Sequence, residues 1–206
     1  RSLCAVGYAM VFVAAQALLW WPVVSHFRVV VEPVADGVID ADRRAPPDAL
    51  LAAAADASMM TDHPLSGDAA VAAANEILPG RLALPALPVL PIDLDFSPRD
   101  LERGVPVQQL WFASLIVPDL LLRAHEHTRD PIYLAAAKRY FANFCGYERR
   151  QWLPAGWLWN AHAVSNRVAI LARLWKTTRA AEDSDAHTAQ FIHNHAMRLG
   201  AQLAKP

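Results

Sequence analysis

Leu110 to Phe144, LWFASLIVPDLLLRAHEHTRDPIYLAAAKRYFANF, is the stretch whose reading decides the fold. Leu110, Ala113, Ser114, Val117, Leu121 and Ala124 fall near one face of a helix that begins beyond Val107. Asp130-Pro131 ends that helix, because proline cannot donate the next intrahelical hydrogen bond, and a second helix follows from about Ile132 to Phe144. So short a break makes the pair an antiparallel hairpin. Downstream, a third helix is predicted over Asn160 to Arg179 and a fourth over His187 to Leu203, parted by the acidic loop Glu182-Asp183-Ser184-Asp185. Long helices on short loops make the chain mainly α. A simple bundle and part of an α/α toroid share that signature.

Upstream the pattern changes. Pro79, Pro85, Pro88 and Pro91 predict an extended path up to Asp95. A short helix is expected from Asp68 to Glu76 and an alanine-rich one from Asp48 to Met60, after a loop from Asp36 to Pro47 in which Pro46-Pro47 forbids a helix. Phe27 to Val31 is β-branched enough for a strand. Leu3 to Val24 holds 22 residues without a charged side chain, a length that crosses a bilayer as a helix, with Trp20, Trp21 and Pro22 at the interface. A cleaved signal peptide, with small residues at Ala14-Ala15-Gln16-Ala17, and a buried core helix are the competing readings. The chain opens on Arg1, so a short upstream segment is expected to be missing. Three regions result: an apolar segment 1–26, a mixed and loop-rich region 27–106, and a helical-hairpin region 107–206.

The net charge of −1 hides a division. Residues 1–100 carry 6 basic and 12 acidic side chains (6 − 12 = −6), whereas residues 101–206 carry 13 and 8 (13 − 8 = +5). The basic half would attract an anionic substrate, although any single arginine, Arg123 or Arg179 for instance, reads more simply as part of a solvated helix face. Cys4 and Cys145 are too few for a disulfide framework and leave the redox compartment open. His125 and His127, like His193 and His195, are two apart and point to different sides of a helix, so no metal site is expected.

Within the basic half, Gln151 to Trp175, QWLPAGWLWNAHAVSNRVAILARLW, sets three tryptophans before a helix carrying Asn160, His162 and Arg167. A pyranose packs its C–H faces on tryptophan, and its hydroxyls and carboxylate need amide, imidazole and guanidinium donors. Trp152, Trp157 and Trp159 could supply the first, and Asn160, His162 and Arg167 the second. Asn160 and Arg167, seven apart, share a face, while His162 lies roughly 200° round from Asn160 and must reach across near the helix start. The plainer alternatives are an N-cap role for Asn160 and a structural one for His162.

The run Trp159-Asn160-Ala161-His162-Ala163-Val164-Ser165-Asn166-Arg167 resembles the His-Ala-x-x-x-Arg helix of heparinase II/III-like polysaccharide lyases, an alginate lyase-like group. Asn75 to Leu82, NEILPGRL, is similar to an earlier segment of that family, and Leu110 to Tyr147 to its first helical hairpin, so the likeness covers residues 75–206. It implies an incomplete α/α toroid. It also implies β-elimination on a uronic-acid polysaccharide, with the carboxylate neutralised, a base for the C5 proton and an acid for the leaving oxygen. Trp157, Trp159, Asn160, His162 and Arg167 would then line substrate subsites, with no cofactor, no metal and no nucleic-acid partner. The family's catalytic Asn-His step and its β-sheet domain are expected beyond Pro206, so the 206-residue chain is expected to be inactive as a lyase; Asn194-His195 falls in what resembles the preceding helix and is not assigned that role. The cell envelope or periplasm is the expected location, with Leu3 to Val24 as an anchor. A membrane-anchored, non-catalytic polysaccharide- or protein-binding module and an α/α glycoside hydrolase are the alternatives. The hydrolase would need two carboxylates across a cleft, and only Glu148 lies near the tryptophans.

Overall fold

A computed structural model of the chain describes residues 10, 13, 14, 16, 65–148, 150 and 156–180. These form a mainly helical array in chain order. Helix α1 is Asp68–Ile77 and a two-stranded ribbon follows, β1 (Arg81–Leu82) and β2 (Leu90–Pro91). After a 3₁₀ turn at Pro98–Glu102 come α2 (Pro106–Ala113), α3 (Ile116–Thr128), α4 (Pro131–Glu148) and α5 (Ala161–Ala180).

Helix α1 buries Ala70, Ala73, Ala74 and Ile77, a stripe at helical spacing that packs on α3. Beyond it the prolines do not give the simple extended path expected. The chain doubles back, pairing Arg81 with Pro91 and Leu82 with Leu90 in antiparallel register. Gly80 permits this fold-back. Its φ of 87° is left-handed, and a Cβ there would lie 3.1 Å from the carbonyl oxygen of Ile92, whose own N–H donates to Gly80. Buried Asp100 then accepts the N–H groups of Asp93 and Ser97, so one carboxylate organises the next turn. Burial raises its pKa above the usual carboxylate value despite those bonds.

The single helix expected from Val107 to Asp130 is two. Helix α2 stops at Ala113, Leu115 turns left-handed with φ 65°, and α3 starts at Ile116. Pro118 supplies the reason, since a continuous helix would drive its ring against the Ser114 carbonyl and leave that carbonyl without its donor. In the first turn of a new helix the missing N–H does no harm. Leu115 is fully buried, so core packing holds its strained backbone in place.

Helix α3 sits among α1, α2, α4 and α5. Its end is built by Arg129 in the left-handed region, with the Arg129 N–H donating to the His125 carbonyl and the His125 ring 2.8 Å from the Asp130 carbonyl. Asp130 then accepts the Ile132 N–H, and Pro131 opens α4. Tyr133 on α4 donates to Asn75 on α1 at 2.7 Å. Phe96 packs edge-on against Tyr140 and Phe144, binding the ribbon side to α4.

Among the described residues no helix is long and apolar enough to cross a membrane. Of the segment from Leu3 to Val24 only four residues are described, all helical, with Met10 and Val13 exposed. The remainder of that segment, the strand expected at Phe27 to Val31, and the helices expected over Asp48 to Met60 and His187 to Leu203 lie outside the described residues.

Candidate functional site

The aromatic approach to α5 is a turn over residues 156–159. Gly156 opens it with φ 51°, and the Trp157 carbonyl closes it by accepting the Asn160 N–H at 3.0 Å. Asn160 is the N-cap: its side-chain oxygen accepts the His162 N–H at 2.9 Å and its carbonyl accepts the Val164 N–H. The cap uses the oxygen of the amide and leaves its two N–H donors uncommitted by that bond. Trp157 is exposed at 37%, the highest value among the aromatics of this turn, and His162 is exposed beside the cap. Leu158 between the two tryptophans is buried and anchors the turn. Trp152 lies outside the described residues.

Arg167 does not reach that surface. Its side chain is wholly buried, with Nη2 donating to the Leu158 carbonyl and Nη1 3.5 Å from Glu148 Oε1 at the end of α4. The guanidinium carbon lies 5.2 Å from the Trp159 ring centre and 5.6 Å from that of Phe144. The guanidinium offered by the sequence to a sugar carboxylate thus makes interior contacts. Two helical turns do carry Arg167 onto the face of Asn160, but by then that face has entered the core. Trp157 and His162 are exposed near the start of α5 and Asn160 is half-buried, whereas Trp159 is half-buried and Arg167 fully buried.

A second charged cluster was not anticipated. Arg173, near the middle of α5, contacts Asp119 at 3.1 Å and Glu126 at 2.8 Å, both on α3, and Thr177 joins at Glu126. Asp119 also pairs with Arg123 at 2.8 Å, so Arg123 is largely withdrawn from solvent rather than on a solvated face. Asp119 and Arg123 are one helical turn apart, a spacing legible in the sequence. Nothing in the sequence pairs Asp119 with Arg173, which lies 54 residues on. Asn166, also on α5, donates to Ser114 at the break between α2 and α3.

Glu148 is fully buried with Oε1 3.5 Å from Arg167 Nη1, which leaves it no surface on which to meet a substrate. Burial holds the Tyr140 hydroxyl well above its ordinary pKa, Asp100 and Asp93 adding to the effect, and burial also raises that of Tyr147, so neither phenol is poised to exchange a proton near neutrality. Among the described residues no group of three His, Cys, Asp or Glu side chains could hold a metal ion. Comparison of the chain with protein-family models, curated proteins and solved structures finds no match.

Proposed function

We propose that the start of α5 is one wall of the substrate cleft of a polysaccharide lyase that cleaves uronic-acid polymers by β-elimination, and that the helical array is part of an α/α toroid. The observation that carries this reading is the exposure of Trp157 and His162 on either side of the capping Asn160 at one helix start. Trp157 offers an apolar face to a pyranose ring. The Asn160 amide, the His162 imidazole and the positive end of the helix offer donors to hydroxyls and carboxylate. The acid and base of the elimination are assigned outside the described residues, and the polymer is met at the cell envelope.

A uronate-binding module without catalysis is the second reading. It is favoured by a wall that holds recognition groups while Glu148 is locked in an ion pair. β-Elimination leaves an unsaturated sugar that absorbs in the ultraviolet, so its appearance when the chain is incubated with alginate or a heparin-like polymer would exclude the non-catalytic reading and overturn the expectation that the 206-residue chain is inactive. The shared claim is tested by titrating a uronate oligosaccharide into the protein and into His162→Ala. The variant should bind more weakly, and equal binding excludes His162 from the site.

A further inference from the structure

The deepest-buried member of the recognition motif touches the connection between α4 and α5 at both ends. The Arg167 guanidinium meets Glu148, the last residue of α4, and the Leu158 carbonyl, the peptide between the two tryptophans of the turn. It also lies against the Trp159 ring. Because Arg167 has no exposed surface, it acts on a ligand through the groups it packs against. We propose that Arg167 is the positioning residue of this site, fixing from within the pose of the 156–160 turn and hence of Trp157 and Asn160; this rests on the sugar-binding reading above.

Arginine suits the task for a physical reason. Its planar fork donates in two directions while one face stays available for stacking, so a carboxylate, a carbonyl and an indole can be held at once. A lysine in its place keeps a charge for Glu148 but offers a compact ammonium without the fork. Glu148 balances the guanidinium locally, so the pair shapes the turn and lends little charge to a ligand outside it.

The test uses the 206-residue chain labelled with 5-fluorotryptophan, the Trp157 fluorine resonance being assigned by its loss in Trp157→Phe. The Glu148→Met/Arg167→Met double variant removes both buried charges together, which preserves folding better than removing one. With a parent-like melting temperature, its Trp157 resonance should be displaced by more than a linewidth. Arg167→Lys, which retains the charge, should displace it less, and serves as the readout if the double variant does not fold. A Trp157 resonance unmoved in the folded variants overturns the proposal. A mannuronate tetrasaccharide is then titrated into parent and variants, with binding expected to fall about tenfold in the double variant, the scale of one lost anchor. If the parent does not bind while the resonance still moves, the sugar-binding reading falls and the positioning role stands.

Discussion

The two buried arginines of α5 are held in different ways. Arg173 faces two carboxylates on α3, one shared with Arg123 and the other, Glu126, partly open to water. Arg167 lies beside a fully buried carboxylate, a backbone carbonyl and two aromatic rings. The first arrangement ties helix to helix. The second ties a helix to the loop before it, and that loop bears the exposed tryptophan. The shared ion-pair network thus lies between helices, whereas Arg167 lies against the turn that bears Trp157.

The largest expected effect breaks this contrast at Arg167. Arg167→Met alone removes the guanidinium beside buried Glu148 and should lower unfolding free energy by about 3–5 kcal/mol in urea denaturation, whereas Glu148→Met/Arg167→Met should recover most of it. Arg173→Met should cost less, roughly 1–3 kcal/mol, because Arg123 still neutralises Asp119 and Glu126 can turn to solvent. If Arg173→Met proves the more damaging, the contrast fails. Glu126→Gln, at the open edge of that network, should change stability by no more than about 1 kcal/mol in the same assay.

Much of the array was legible because its signals are local. The α3–α4 turn follows from Asp130-Pro131, with the Asp130 carboxylate and the proline ring both acting within two residues. The cap role of Asn160 was equally visible, since the residue that accepts the His162 N–H stands at the head of its own helix. Pro118 marked the break between α2 and α3, but the apolar periodicity runs through it and concealed the left-handed turn at Leu115. The burial of Arg167 could not be read from spacing. Sharing a face with Asn160 fixes a direction around the helix, while depth depends on Glu148, Phe144 and Trp159, which tertiary packing brings in.

Smaller effects sharpen the comparison by acting away from both arginines. Arg129 is exposed in the left-handed region at the end of α3, so Arg129→Gly should raise stability by about 0.5–1 kcal/mol in thermal denaturation while leaving uronate binding unchanged. Asp100 supplies a pH dependence independent of either cluster. Its folded pKa is raised, so the native state holds the proton longer, and its contribution to stability falls as pH rises from the ordinary carboxylate value of 3.8 through the higher folded one. Asp100→Asn should therefore gain stability relative to the parent across that interval in urea titrations at successive pH values; a relative loss would reverse the sign.

The central claim is that the exposed start of α5 binds an acidic sugar through Trp157. Calorimetric titration of a mannuronate tetrasaccharide into the protein and into Trp157→Ala tests it most directly. Saturable binding by the parent, weakened about tenfold or more in a variant that melts like the parent, is the predicted result. No binding by the parent, or equal binding by the two proteins, would contradict it.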